Sequence, residues 1–160
     1  MANARPFRNA RTVMWPLFPL GLPGGYITIA YALAHWLRRR RRQGGAAIVT
    51  SAWLGWFAHR GFKLFYSRQR PLRPHDKPRF DSYPSGHTTG ATALAITVAH
   101  VLRRERLISS RAATAIRLGA PSLMGVYRVI ADEHWATDVV GGWALGAAIG
   151  LGCEALLDRR

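Results

Sequence analysis

Apolar residues run through this chain in long stretches, broken by short polar or arginine-rich segments. Five stretches are legible, at 12–37, 46–66, 86–102, 112–131 and 139–157. Each approaches the roughly 20 residues that carry a helix across the hydrocarbon core of a bilayer. They predict an all-α fold: a single domain built as a bundle of about five transmembrane helices. Breakers refine the picture. Pro16, Pro19, Pro23 and Gly24-Gly25 interrupt the first stretch, so its regular helix begins near Gly25 or the run is kinked. Ser67 to Pro84 holds Pro71, Pro74, Pro78 and Pro84, too many for a regular element. Ser109 or Ser110 is placed to cap the fourth helix, and Pro121 to kink it. Thr88, Thr89, Gly90, Ala91 and Ala95 keep the third helix slim. Gly142, Gly146 and Gly150 form a ridge of small residues along which another helix can approach closely.

Charge tests this reading. The formal net charge is +15, which in a soluble chain would point to nucleic acid. A nucleic-acid module more often spreads cations along one amphipathic face with aromatics interleaved. Here the arginines stand in blocks, Arg38 to Arg42 and Arg103, Arg104, Arg106 and Arg111, between stretches of membrane-crossing length. An integral membrane protein with no nucleic-acid partner accounts for them better. Basic residues in 1–11 and the small-residue pattern Ala30 to Ala34 raise a signal peptide. The five arginines that follow oppose export, so the first helix reads as uncleaved. The same rule puts 38–45, 103–111 and the C-terminus in the cytoplasm. The loop 67–86 and the stretch 127–138 then share the opposite face, the outer one if the membrane is a bacterial plasma membrane. Cys153 stands alone, so neither a disulfide framework nor a cysteine metal site is available.

Three polar constellations meet on that face. Lys63 ends the second stretch seven positions before Arg70-Pro71. The plain alternative is a snorkelling lysine and a loop arginine. Pro84-Ser85-Gly86-His87 opens the third stretch. Free N–H groups in a helix's first turn bind anions, glycine lets a ligand approach the backbone, and a histidine there can protonate a leaving oxygen. An ordinary N-cap with an interfacial histidine is the alternative. In Tyr127 to Asp138, Arg128 can fork onto a phosphate. If the segment is helical, His134 and Asp138 share one face, and the carboxylate orients the ring. Such pairs are also often structural. Together the groups suit phosphoryl transfer, in which fixed donors surround the equatorial oxygens and a nucleophile stands in line with the leaving oxygen. Lys63, Arg70, Arg128, the Ser85 hydroxyl and the Gly86 N–H are the donors. His134 and His87 end the line, and the cations take the place of a metal.

Lys-x6-Arg-Pro, Pro-Ser-Gly-His and Arg-x5-His-x3-Asp, in this order, resemble the signature of the type-2 phosphatidic acid phosphatase superfamily over roughly 46–157. The resemblance implies a membrane lipid phosphatase with no metal or other cofactor. His134 would form a phosphohistidine, Asp138 would orient it and His87 would protonate the leaving group. Lys63, Arg70, Ser85, Gly86 and Arg128 would hold the phosphate. A membrane lipid carrying a phosphate or diphosphate is then the substrate: a polyprenyl diphosphate, phosphatidylglycerophosphate or phosphatidate. Two features depart from the family. Tyr127 replaces the usual serine before the arginine, removing a phosphate hydrogen bond or supplying it from the tyrosine hydroxyl. Five helices stand where membrane members usually have six. Alternatives are a vanadate-dependent haloperoxidase, whose relatives are large and soluble, and a protein that binds lipid phosphate without turnover. His35, His59 and His100 read as packing or interfacial residues. His75 could touch substrate or pair with Asp76. Trp135 could shield the site from water. Oligomeric state is not legible.

Overall fold

The computed structural model describes residues 22–71 and 77–159. They form α1 (Pro23–Arg39), α2 (Gly45–Phe65), α3 (Gly86–Arg104), α4 (Ser110–Ile130) and α5 (Ala136–Asp158). Beyond the helices, an isolated bridge pairs Arg68 with Asp81 in the long loop. The basic tail 1–11, Trp15, Pro16, Pro19, Pro74, His75 and Asp76 lie outside the described residues.

The helix ends follow from local chemistry. Pro23 sits in the first turn of α1, where its missing N–H leaves no bond unmade. Of the two candidate serines it is Ser109 that caps α4, its Oγ accepting the Ala112 N–H at 3.2 Å. The helix is continuous across Pro121, whose carbonyl accepts the Trp143 indole N–H at 3.1 Å. α5 starts three residues before the expected boundary, and this changes the geometry of the site below.

α3 is the central helix and packs against the other four. Its threonines make that position tenable. The hydroxyls of Thr89, Thr92 and Thr97 donate to the carbonyls of Ser85, Thr88 and Ala93 on their own helix, so they are buried without a lost hydrogen bond. The glycine ridge of α5 lies on this helix. A Cβ at Gly146 would stand 2.6 Å from both the Thr89 carbonyl oxygen and Thr92 Cβ. On the other side, Gly90 admits the Tyr26 ring, which joins Ala30, Leu37, Ile48, Ala52, Leu94, Val98 and Val101 in the core between α1, α2 and α3. Gly146→Val should therefore push α5 off α3. We expect a loss of about 1–3 kcal/mol, read as a lower thermal unfolding midpoint in detergent, whereas Gly152→Ala, which meets open space, should change little.

Phe57, Leu64, Phe65, Leu118 and Leu156 face outward and are largely exposed. By length and composition, α5 alone among the described helices is apolar enough to cross a membrane, where five were expected. The other helices are diluted by polar residues, several of which turn inward: the threonines of α3, His59 and Lys63 of α2, and Arg128 of α4. At one end of the bundle, Arg42 pairs with Glu105 at 3.6 Å and His100 with Asp158 at 3.0 Å. At the other, the loop after α2 meets the turn between α4 and α5.

Candidate active site

The α4–α5 turn sets the site. Asp132 takes the left-handed conformation at φ 50°, which folds the chain back on itself. The N–H groups of Glu133 and His134 then reach the Arg128 carbonyl at 3.1 and 3.3 Å. Arg128 and His134 are thus fixed relative to each other by one tight turn. His134 is not helical, contrary to the shared helix face expected from its spacing with Asp138. α5 begins at Ala136 with Trp135 as its N-cap. Asp138, in the first turn, instead caps the helix by accepting the Trp135 N–H at 2.9 Å, a favourable place for a carboxylate.

The Asp138 carboxylate is fully buried and multiply held. It accepts hydrogen bonds from the Ser82 hydroxyl and from Arg68 Nη1 at 2.9 Å. Oδ2 also stands 3.6 Å from Nδ1 of the buried His134, too long for a hydrogen bond but close enough to bias the ring. The Asp138 carbonyl accepts the Ser85 N–H at 3.0 Å, which joins the second constellation to the third. Ser85 is the N-cap of α3, as expected, though its Oγ caps no backbone N–H and instead accepts the Thr88 hydroxyl at 2.9 Å.

Gly86 also has a packing reason. A Cβ there would lie 2.7 Å from His59 Nε2, so the glycine makes room for a buried histidine. His59 Nδ1 donates to the Gly55 carbonyl at 2.9 Å, consistent with a packing role.

The cations converge from three elements. Lys63 donates to the Asp81 carbonyl at 2.7 Å. Arg70 forks onto the Asp81 carboxylate, Nε to Oδ1 at 2.8 Å and Nη2 to Oδ2 at 3.1 Å. Its Nη1 reaches Glu133 Oε2 at 3.2 Å. The Arg128 side chain, 3 % exposed, places Nη2 at 3.2 Å from the same oxygen. His87 is within electrostatic reach of Arg128, His134, Arg70 and Lys63. Every residue singled out for phosphate chemistry is therefore drawn to one end of the bundle.

Electrostatics follows the burial. Desolvation lowers the His134 imidazole to about 4; Asp138 opposes this, while Arg70, Arg128 and Lys63 reinforce it. The ring is neutral near pH 7. Partial burial alone would raise the Asp81 carboxyl, but the Arg70 fork, with Lys63 and Arg79, outweighs it and holds the group well below the usual carboxylate range. Among the described residues, no three His, Cys, Asp or Glu side chains gather into a metal-binding group.

The PAP2 superfamily model matches residues 45–160, from the start of α2 onward. The chain belongs to the PAP2 superfamily. It is similar to a non-specific acid phosphatase of Salmonella typhi, 36 % identical over 104 residues, with 58 % of this chain and 38 % of the relative covered. It is also similar to the lipid A 1-phosphatase of Porphyromonas gingivalis, 35 % identical over 88 residues, covering 55 % of this chain and 18 % of that one. The chain spans less than two-fifths of the length of these curated relatives. Its fold matches the crystal structure of a transmembrane PAP2-type phosphatidylglycerolphosphate phosphatase from Bacillus subtilis. The TM-score is 0.73 at 22 % identity, over 94 % of this chain and 77 % of that one.

Four residues of this PAP2 site escape sequence reasoning: Arg68, Asp81, Ser82 and Glu133. Arg68 and Ser82 hold Asp138, and Asp81 holds Arg70 and Lys63. Their only signal is polarity close to a motif, since no spacing rule says which motif each loop residue will meet. The Tyr127 ring is buried with Met124, Ala131 and Ala91, so its apolar body packs α4 against the bundle. Trp135, considered as a shield, is 45 % exposed and its indole donates to the Gln69 carbonyl at 2.8 Å. It ties the two loops together.

Proposed function

We propose that the protein is a membrane-embedded phosphatase that hydrolyses a lipid-linked phosphate or diphosphate through a phosphohistidine at His134, without a metal. The observation that carries this is the convergence of Lys63, Arg70 and Arg128 around a buried, neutral His134. Asp138 stands beside Nδ1, which leaves Nε2 for attack on phosphorus. The new N–P bond forms as the bond to the lipid oxygen breaks, and His87, protonated beside the negative charge of the bound phosphate, gives that oxygen its proton. Neutral His87 then takes a proton from water as the water oxygen attacks phosphorus; the N–P bond breaks, its electron pair returns to His134 Nε2, and inorganic phosphate leaves. The Ser85 hydroxyl and Gly86 N–H join the three cations as donors to the equatorial oxygens.

The membrane reading is supported by the outward apolar side chains, by α5 and by the likeness in fold to a transmembrane protein. Exposed apolar surface of this kind belongs against lipid or a partner. The phosphatidylglycerolphosphate and lipid A phosphatases among the similar proteins favour a lipid anchor on the substrate. The arginine-rich end lies in the cytoplasm and the site on the outer face of a bacterial plasma membrane. The deciding experiment is phosphate release in detergent from polyprenyl diphosphate, phosphatidylglycerophosphate and phosphatidate beside a soluble phosphate monoester. Turnover of the soluble ester alone would sink the lipid assignment, and turnover of none would sink the phosphatase reading.

Attack requires the unprotonated ring, and burial keeps His134 unprotonated to lower pH than an ordinary histidine. As pH falls, kcat/KM should therefore hold through the range near 6.5 where a free histidine protonates and drop only toward about 4. A pH–rate profile checks this once the second ionisation of the phosphate substrate, at about pH 6, is divided out; a remaining break near 6.5 would contradict it.

A further inference from the structure

Glu133 has no place in the chemistry above, yet its carboxylate sits in the middle of it. Oε2 bonds Nη1 of Arg70 and Nη2 of Arg128, each at 3.2 Å. These are two of the three cations proposed to hold phosphate, and both are nearly buried, with side chains 12 % and 3 % exposed. Buried cations held close together need an anion between them. A carboxylate oxygen offers them the same charge-assisted bonds as a phosphate oxygen.

We propose that Glu133 is a built-in competitor for the phosphate seat: it bridges Arg70 and Arg128, turns out when substrate enters, and returns to drive phosphate off. This rests on the phosphatase reading and deepens it. The residue is suited to moving. Its side chain is 22 % exposed, which leaves a route to solvent, and the backbone can stay in place. Its N–H is held by the Arg128 carbonyl at 3.1 Å and its carbonyl accepts Arg70 Nη1 at 3.2 Å. Asp81 differs. It grips Arg70 through Nε and Nη2, away from the arm that meets Glu133, and so can go on aiming Arg70 while the seat changes occupant.

Charge matching gives the exchange a direction. Lys63, Arg70, Arg79 and Arg128 bring four positive charges and Asp81 and Glu133 two negative ones, with Asp138 matched by Arg68. Two positive charges are in excess with Glu133 seated and three with it turned out. A terminal phosphate carries about −1.5 to −2 at neutral pH, so it offsets most of the excess in the opened seat. A phosphodiester, with a single charge, offsets less. The competitor thus favours terminal phosphates and limits product inhibition.

The test is Glu133→Gln, which keeps shape and backbone bonds, with Glu133→Ala as a second variant. Inorganic phosphate is titrated as an inhibitor of ester hydrolysis and, independently, as a ligand by calorimetry. Removing the competitor should tighten phosphate about tenfold in both variants, with kcat lowered by slower product release. If Glu133 merely braced the arginines, both variants would bind phosphate more weakly; unchanged or weaker binding overturns the proposal. Wild-type protein that neither binds phosphate nor releases it from any ester overturns the underlying phosphatase reading, and this proposal with it.

Discussion

His134→Ala should abolish phosphate release, a fall of roughly 10⁴-fold or more, and no phosphoenzyme should be trapped on acid quench. The expectation rests on position as much as residue type. His134 is held by the turn that also fixes Arg128, with Nδ1 beside a buried carboxylate and three cations around it. His87 faces the same cations from the first turn of α3, where it is proposed as the proton donor. His59 is committed to the Gly55 carbonyl and packed on Gly86, and His100 is paired with Asp158 at the far end of the bundle. Quench with labelled substrate reports the intermediate directly. Chelators should leave wild-type turnover intact, because the charge on phosphate is met by Lys63, Arg70 and Arg128. Hydrolysis surviving in the alanine variant, or lost to chelator in wild type, would remove the proposed mechanism.

Arg128→Lys should cost about 10²- to 10³-fold in kcat/KM, although the charge is kept. Arg128 is 2 % exposed and comes from the last turn of α4, so its reach is set by the helix end. A guanidinium can offer two parallel donors to adjacent phosphate oxygens, whereas an ammonium is a shorter, rotating point charge. The lysine would also lose alignment with Glu133 Oε2, now 3.2 Å from Nη2. Steady-state kinetics with a thermal-stability control separates this from misfolding. A variant within threefold of wild type would show that charge alone suffices.

The site was legible to unequal depth. Lys63, Arg70, Ser85, Gly86, His87, Arg128, His134 and Asp138 are all drawn together, because alternating helices bring the two loops to one end. The reasons attached to some of them were not legible. At Gly86 the sequence suggested ligand access, and the room it also leaves for His59 was not foreseen. The His134 and Asp138 pair was read as sharing a face if the segment were helical, and is a turn residue beside a helix cap. Spacing reports which residues are near in the chain, and an early helix start at Ala136 is enough to change how they meet.

What the sequence determined by itself was the all-helical order, the small-residue seams and the two polar loops, because each depends on local periodicity, breakers and side-chain size. Only the tertiary structure decided that the seam of α5 lies on α3, that Arg68 and Ser82 hold Asp138, and that Glu133 sits between Arg70 and Arg128. Those contacts join residues far apart in the chain or across a tight turn. Their geometry follows from how the described helices pack around α3, which no single segment encodes.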